Sequence, residues 1–399
     1  MFDVESIRRQ FPALERTFNG RPVIFADNAA TSLKPQSVIA AVNYYYTEVC
    51  ANVHRGINAI AQEADALYEE ARESCAELLN ADGEEIIFVR NATEGLNLAA
   101  HMMDLGPGDE IVCSLADHHS NFLPWHTKAR TRLVVPDADG RVSAADFMAQ
   151  VSEKTKLIAL GHVSNVTGVI CPVEEVIREA RRRGILTIVD GAQSVPHMPI
   201  DVRALGCDML AFSGHKMLGP SGIGGLYVRG ELLESALPML HGGGMVSSVT
   251  TDDFRLEHGP HRFEAGTPNI EGALGMGAAA RFLMKLGMEN VFAHERQLAR
   301  RLIGRLAEID GLRLYPSKAT ENRLAVAAFG VPGMSENDAA AVLCNRHNVM
   351  ARSGVHCAEP LVRQYGETGL VRVSLHLYNT LEEVDHIADA VGSLCRVFA

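Results

Sequence analysis

The chain lacks clustered cysteines, long apolar runs and an excess of positive charge. Its eight cysteines are scattered through 399 residues and form no CxxC pair. This spacing argues against a disulfide framework and against a zinc site, so no metal is expected. No stretch approaches the roughly 18 apolar residues of a membrane span, and the amino terminus is polar and has no apolar core of a signal peptide. We therefore expect a cytoplasmic protein.

The charge balance limits the partners of the protein. The 37 lysines and arginines against 49 acidic residues give a net charge of −12. Such a surface would repel nucleic acid and anionic membranes over most of its area, although a local basic pocket for a phosphate group remains compatible with it. The hydrophobic content of 47% is ordinary for a globular protein, and the length leaves room for two domains.

From residue 86 onward, short β-branched runs alternate with helical patterns. This rhythm predicts an α/β fold with a mostly parallel, seven-stranded sheet that is covered by helices. The runs span residues 86–89, 110–114, 133–135, 157–160, 186–189, 209–212 and 225–228. Residues 241–269 indicate a long irregular excursion, and the later pattern is typical of a smaller α+β domain. We expect a large domain over residues 25–270, and a small domain formed by residues 1–24 and 271–399 with a connecting helix.

A lysine and an acid follow two of these predicted strands. Lys216 comes after the run that ends at residue 212, and Asp190 follows residue 189 directly. Ligands of such sheets bind beyond the carboxyl ends of the strands. Pyridoxal phosphate requires a partly uncharged amine for a Schiff base and an anion that keeps its ring nitrogen protonated. Either residue alone is more often an ordinary strand-end residue, but the pair, with glycines around it, favours this cofactor.

The strand at 86–89 runs through a turn into a helical pattern. Free backbone N–H groups and the positive end of the helix dipole suit a phosphate there, and Thr93 adds a hydroxyl. The alternative is that Asn91 or Thr93 only caps the helix.

Further candidates lie after other strand ends. His118 can stack on a pyridine ring and move protons, although two adjacent histidines in a loop are more often surface residues. Asn165 can donate to the cofactor or to a substrate carboxylate, or it is only a turn residue. Gln193 can reach the ring hydroxyl, and Ser213 and His215 can bind the phosphate.

The segments DGAQ at 190–193 and SGHKMLGP at 213–220 give the chain a family resemblance. It resembles the fold-type I enzymes of the class V aminotransferase group, which use pyridoxal phosphate. Three more segments narrow the resemblance to the group II, SufS-like cysteine desulfurases: VHRG at 53–56, RFEAGTPN at 262–269 and RSGVHCA at 352–358. The likeness runs from about residue 25 to the carboxyl terminus.

The resemblance implies a role for each candidate. The cofactor would be attached to Lys216, with Asp190 at the ring nitrogen, Gln193 at the ring oxygen, His118 stacked on the ring, and Thr93, Ser213 and His215 at the phosphate. The resemblance also implies a homodimer in which Thr267 reaches the phosphate of the second subunit. Arg372 would hold the substrate carboxylate, with Arg352 and Asn165 also at the substrate. We expect the Arg372 side chain to be free for a bidentate pair.

Cys357 is the residue on which the specific activity depends. By resemblance, its thiolate takes the sulfur of L-cysteine and leaves alanine and an enzyme persulfide, which supplies iron–sulfur cluster or thio-cofactor assembly. A reactive thiolate needs exposure and a positive setting, and Cys357 lies in a loop beside His356. An inert core thiol describes the other seven cysteines better. The compact loop resembles that of enzymes which often need a partner protein as the sulfur acceptor.

Two departures from the family pattern leave the substrate and the acceptor open. Val355 stands where the family often has histidine, and Ala92 where it often has a second threonine. A selenocysteine lyase and a cysteine sulfinate desulfinase are close alternatives on the same scaffold. A second class of function is an aminotransferase, racemase or kynureninase-like lyase, in which Cys357 would have no catalytic role. A third class is a binding protein without catalytic activity.

Overall fold

The computed structural model describes residues 2–54, 56–316 and 322–397. Arg55 of the VHRG segment lies outside the described residues. Within these ranges, no helix has both the length and the apolar character needed to cross a membrane.

The strands are, in chain order, β1 (Thr17–Phe18), β2 (Arg21–Pro22), β3 (Ile24–Phe25), β4 (Ile86–Val89), β5 (Glu110–Ser114), β6 (Arg130–Val134), β7 (Thr155–Gly161), β8 (Leu186–Asp190), β9 (Met209–Ser213), β10 (Gly224–Val228), β11 (Val246–Val249), β12 (Phe254–Leu256), β13 (Arg313–Tyr315), β14 (Val326–Gly330), β15 (Val349–Met350), β16 (Arg352–Gly354) and β17 (Leu370–Ser374).

The α-helices are α1 (Val4–Arg8), α2 (Gln36–Thr47), α3 (Ala59–Leu79), α4 (Ala92–Met102), α5 (Leu123–His126), α6 (Ala144–Gln150), α7 (Val173–Arg182), α8 (Val202–Leu205), α9 (Gly230–Ser235), α10 (Ile270–Leu286), α11 (Met288–Ala307), α12 (Glu336–His347), α13 (Glu359–Gln364) and α14 (Leu381–Val397). Short 3₁₀ turns occur at Pro12–Glu15, Gly83–Glu85, His119–Asn121, Gly214–Lys216 and Gly259–Phe263.

The largest sheet has seven strands in the order β4-β10-β9-β8-β7-β5-β6. Neighbouring strands from β9 to β6 pair in parallel, and only β10 runs antiparallel to its two neighbours. The predicted α/β fold with a mostly parallel seven-stranded sheet is therefore confirmed. Because β5, β7, β8 and β9 are parallel, their carboxyl ends meet at one edge, where a ligand site is expected.

Both faces of this sheet are buried, as the nearly continuous apolar runs require. Along β7, Leu157 and Ala159 pack into a core on one face, while Ile158 and Leu160 pack into a core on the other. Helix α10 packs against both α2 and α3. The sheet is thus packed on both faces, and this packing fixes the positions of the residues that follow the carboxyl ends of its strands.

A second sheet of four strands, in the order β13-β14-β17-β16, is antiparallel throughout. Its core is separate from that of the large sheet and includes residues of α11, α12 and α14. This arrangement agrees with a smaller α+β unit, although the exact domain boundaries stay a prediction.

Some elements differ from the sequence-based expectations. The excursion at 241–269 contains a short hairpin, β11 and β12, and the run predicted at 133–135 belongs to a strand that begins at Arg130. Strand β13 was not predicted because only Leu314 of its three residues is buried, so it carries little apolar signal. Strands β15 and β16 lie in different sheets, although only Ala351 separates them in the chain.

Candidate active site

A cavity of about 410 Å³ opens at the carboxyl edge of the large sheet. It is lined by every predicted site residue except Thr267: Thr93, His118, Asn165, Asp190, Gln193, Ser213, His215, Lys216, Arg352, Cys357 and Arg372. These residues come from both sheets, because Arg352 lies on β16 and Arg372 on β17. The fold therefore brings together side chains that are far apart in the sequence.

Lys216 ends the 3₁₀ turn that follows β9. Burial lowers the pKa of its amine to about 8, nearby Asp190 opposes this shift, and Arg372 adds to it. A lysine with this pKa is partly uncharged near neutral pH, which is the state in which an amine attacks an aldehyde.

The carbonyl oxygen of His215, immediately before Lys216, receives an unusual number of donors. They are the backbone N–H of Ser32 at 3.0 Å, the hydroxyls of Thr31 and Ser32 at 3.1 Å each, and the ammonium of Lys34 at 2.9 Å. Burial also lowers the pKa of Lys34 to about 8. These contacts hold the peptide that carries Lys216. Sequence reasoning missed them, although the polar run 27–32 after an apolar strand was a usable signal.

Asp190 is buried at the end of β8, beside the lysine turn. Its Oδ1 accepts a hydrogen bond from the backbone N–H of Ala192 at 3.0 Å. Burial raises the pKa of its carboxyl, and Lys216 counteracts that rise. A buried carboxylate in this state gains stability from a cationic partner, and a protonated pyridine nitrogen is one.

Asp117 is a second buried carboxyl at the same edge, and sequence reasoning missed it. It accepts hydrogen bonds from the backbone N–H groups of Ser114 at 3.1 Å and Gly161 at 3.2 Å, and from the Asn121 side chain at 3.0 Å. A Cβ at Gly161 would lie 2.3 Å from Oδ1 of Asp117, so only glycine permits this approach. Burial raises the pKa of Asp117 to about 8. The contacts tie the loop that carries His118 to the ends of β5 and β7.

His118 lines the cavity as a neutral imidazole. Its Nδ1 accepts a hydrogen bond from the backbone N–H of Ser120 at 3.1 Å, which leaves Nε2 as the protonated ring nitrogen. Burial, together with the nearby charge of Lys216, lowers its pKa to about 3.

The amino terminus of α4 forms one end of the cavity. Asn91 caps this helix by accepting from the N–H of Glu94 at 3.0 Å. The N–H of Ala92 donates to Oγ of Ser213 at 2.8 Å, which joins the helix start to β9. Thr93 is exposed at this helix start. The capping role predicted for Asn91 and a phosphate role for Thr93 are therefore compatible.

Cys357 is exposed and stands on a turn with unusual backbone geometry. Both His356 and Cys357 have positive φ, 51° and 55°. Two contacts from the large sheet hold this turn: the N–H of His119 donates to the Cys357 carbonyl at 2.7 Å, and Nδ2 of Asn165 donates to the His356 carbonyl at 2.8 Å. Positive φ is rare for such residues and is kept only where the surroundings impose it.

The Arg372 side chain is not free, so that expectation was wrong. Its Nη2 donates to Oδ1 of Asp27 at 2.9 Å, and its Nη1 donates to the Asn165 carbonyl at 3.1 Å. The error arose because β17 is buried on both faces, so Arg372 needs buried partners. Its Nε is buried without a hydrogen-bond partner among the described residues. Asp27 also contacts Arg352 at 3.4 Å.

Thr267 does not line this cavity. It is exposed and borders a second cavity of about 670 Å³, together with Phe88 and Leu240. Its assignment to the phosphate of a second subunit stays a prediction.

The residues present fit pyridoxal phosphate. The cavity offers an amine with a lowered pKa, the buried carboxyl of Asp190, and a helix amino terminus with hydroxyl groups nearby. Gln193 already donates to the Ala29 carbonyl at 2.8 Å and keeps one amide hydrogen for another acceptor.

Comparison with known proteins agrees with this geometry. The family model "Aminotransferase class-V" matches residues 24–387. The chain is 41% identical to the probable cysteine desulfurase of Streptomyces coelicolor, over 100% of this chain and 98% of that protein. It is 42% identical to the cysteine desulfurase of Synechococcus elongatus, of which it spans 63%.

Two solved structures are also similar. The apo cysteine desulfurase of Thermococcus onnurineus superposes with a TM-score of 0.93 at 38% identity, covering 98% of each chain. The S-sulfonic acid form of an Escherichia coli cysteine desulfurase has a TM-score of 0.90 at 36% identity, covering 100% of this chain and 99% of that one. With the family model matching most of its length, the chain belongs to the class V aminotransferase family, and its relatives at about 40% identity are cysteine desulfurases.

Proposed function

We propose that this protein is a pyridoxal phosphate-dependent cysteine desulfurase that converts L-cysteine to L-alanine and keeps the sulfur as a persulfide on Cys357. The observation that carries the proposal is that the exposed Cys357 thiol and the Lys216 amine line one cavity. An aminotransferase needs the amine but has no use for the thiol.

The described contacts suggest how the cofactor would be held. Lys216 would attach it, Asp190 would pair with its ring nitrogen, and His118 would pack on the ring. Thr93, Ser213 and His215 would bind its phosphate at the start of α4, and Gln193 would face its ring oxygen. When bound, pyridoxal phosphate withdraws electrons from the bonds at the α-carbon of an amino acid.

The substrate carboxylate would bind at Arg372 and Arg352. Both guanidinium groups contact Asp27, and both arginines line the cavity. Nε of Arg372 is the buried donor that still needs an acceptor. Asn165 lies between this arginine and the cysteine turn, with its carbonyl on Arg372 and its amide on His356.

The sulfur transfer balances without an added oxidant. The Cys357 thiolate forms a bond to the sulfur of L-cysteine while the bond between that sulfur and the substrate β-carbon breaks. The β-carbon gains a proton, so the products are L-alanine and the Cys357 persulfide. The Lys216 amine, with a pKa of about 8, would hold and return this proton inside the cavity, and the Nε2–H of the neutral His118 ring would donate a hydrogen bond there.

The test is to incubate the purified protein with L-cysteine and a thiol reductant and to measure alanine and sulfide. We expect both products in equal amounts. Cys357→Ser should lower sulfide formation by at least about a hundredfold, the scale on which loss of a nucleophile acts. Cys50→Ser is the matched control, because Cys50 is the other exposed cysteine among the described residues. Full sulfide formation by Cys357→Ser would overturn the proposal.

The finer assignments belong to the same proposal. The short turn between β16 and Cys357 supports the group II, SufS-like subtype. The exposure of Cys357 supports delivery of the sulfur to an acceptor protein. We assign this delivery to iron–sulfur cluster or thio-cofactor assembly in the cytoplasm. A homodimer would cover the second cavity, where Thr267 and Leu240 are exposed. Sedimentation of the purified protein at twice the monomer mass would support the dimer, and sedimentation as a monomer would exclude it.

A further inference from the structure

Two histidines and a glutamate meet on the surface of the molecule, outside the cavity described above. They are His54, Glu69 and His261, and one ligand atom from each lies within 4.8 Å of the other two. His54 precedes α3, Glu69 lies on α3, and His261 lies in the 3₁₀ turn Gly259–Phe263. His54 belongs to the VHRG segment at 53–56, but the spacing of the three residues along the chain does not predict that they meet.

The two carboxylate oxygens of Glu69 differ in their contacts. Its Oε2 accepts from Nε of Arg72 at 2.9 Å, whereas its Oε1 is buried without a hydrogen-bond partner among the described residues. The nearest donor to Oε1 in this cluster is Nε2 of His261, at 4.0 Å. A buried carboxylate oxygen without a partner is costly, and a cation placed between these atoms would remove that cost.

The histidines are already oriented. The rings of His54 and His261 lie 5.0 Å apart at 70° to each other. Asp65, four residues before Glu69 on the same face of α3, lies 3.3 Å from Nδ1 of His54 and accepts from its backbone N–H at 2.8 Å. A carboxylate that holds one ring nitrogen fixes the other for a metal, a common arrangement around ligating histidines.

The local charge also favours a cation. Asp65, Glu69 and Glu264 supply three carboxylates, and Arg72 is the guanidinium among them, bonded to both Glu69 and Glu264. A second cluster of the same composition, His197, Glu295 and His376, is buried and differs in that its carboxylate is already paired. There each carboxylate oxygen already bonds a histidine, at 2.7 and 2.9 Å, so that cluster is a closed network.

We propose that His54, Glu69 and His261 bind a divalent transition metal ion, with Zn²⁺ as the best fit. Two imidazoles and one carboxylate are a usual ligand set for zinc, which prefers nitrogen and carboxylate ligands in tetrahedral geometry. Ligands on one zinc ion lie about 3.4 Å apart, so the 4.0 Å between His261 and Glu69 needs to shorten by only about half an ångström. Water would complete the coordination, because the histidines are partly exposed.

The test uses full-length protein with its exposed thiols removed, Cys50→Ser with Cys357→Ser, so that these thiols cannot hold zinc. After treatment with a chelator, the protein is titrated with Zn²⁺, and the bound metal is counted after desalting. Adding His261→Ala should remove one equivalent of bound zinc, or weaken its binding at least about a hundredfold, since even outer partners of ligands contribute ten- to a hundredfold. His258→Ala, at an exposed histidine three residues earlier, should change nothing.

A second readout guards against misfolding. Zn²⁺ should raise the melting temperature of the background protein and of His258→Ala, but not of His261→Ala, because only a bound ion stabilises the folded state. Glu69→Gln, which keeps an acceptor for Arg72, should lose the same equivalent. If the His261→Ala protein folds and binds as much zinc as its parent, or if the parent binds none, the proposal is wrong. These readouts do not depend on desulfurase activity.

Discussion

Two turns face each other across the cavity, and they are built differently. The turn that carries Lys216 is fixed from inside, since the carbonyl before it meets donors from Thr31, Ser32 and Lys34. The turn that carries Cys357 is also held, since the carbonyls of His356 and Cys357 accept hydrogen bonds and the His356 ring lies 3.0 Å from the Leu370 carbonyl, but its thiol is exposed. One reactive group is therefore buried, while the other is open to solvent.

This difference matches the tasks proposed for the two groups. An amine that attaches a cofactor gains from a fixed position and a dry setting, which also lowers its pKa. A thiol that accepts sulfur inside the cavity and gives it to another protein has to contact both.

Lys216→Ala should remove the function of the buried turn altogether. We expect the visible absorbance band of the attached cofactor to disappear and sulfide formation to fall by at least about a thousandfold, because Lys216 is the lysine that lines the cavity with Asp190 among the described residues. Lys34→Met is the comparison variant: it removes the other lysine with a pKa near 8 and one donor to the His215 carbonyl, but it should keep the band because the Lys216 amine stays in place. If Lys216→Ala keeps the band and Lys34→Met loses it, the assignment of the amine is wrong.

The pH dependence of cofactor attachment follows from the pKa of Lys216. Burial lowers this pKa from 10.5 to about 8, so the uncharged amine increases as the pH rises toward 8 and is nearly complete above it. The rate of attachment to cofactor-free enzyme should therefore rise about tenfold per pH unit below pH 8 and level off above it. The Lys34→Met variant should keep this profile. A midpoint near 10.5, or a flat profile, would contradict the structure.

His119→Ala should disturb only the exposed turn. The His119 ring accepts a hydrogen bond from the backbone N–H of Glu359 at 3.1 Å, at the start of α13 and just after Cys357. Loss of one such bond is worth about 1 kcal/mol, so sulfide formation should fall about fivefold while the cofactor band is unchanged. His119→Gln, which offers another acceptor, should recover part of the rate. A loss of the band in His119→Ala would show that the two turns are not independent.

The sequence was sufficient for the residues that follow strand ends. The apolar runs predicted the parallel sheet, and Asp190, Ser213 and Lys216 fall at its carboxyl edge because strand ends in a parallel sheet meet there. The positions of these side chains follow from the local pattern of apolar residues, which can be read from a single sequence.

Contacts between distant segments were not predictable in the same way. Asp27 pairs with Arg372 across 345 positions, and the Cys357 turn rests on the loop of His119. Neither contact leaves a periodic pattern in the sequence, because it is set by how the two sheets pack. Arg372 was expected to be free for this reason, and Asp117 was overlooked because an acid beside two histidines resembles an ordinary surface loop.

The most direct test of the account is to locate the transferred sulfur. The purified enzyme is mixed with L-cysteine without reductant, its thiols are blocked, and its peptides are analysed by mass spectrometry. The account predicts one additional sulfur atom on the peptide that contains Cys357, none on the peptide that contains Cys50, and none anywhere in Lys216→Ala. Alanine formation with unmodified Cys357, or with the extra sulfur on another cysteine, would contradict it.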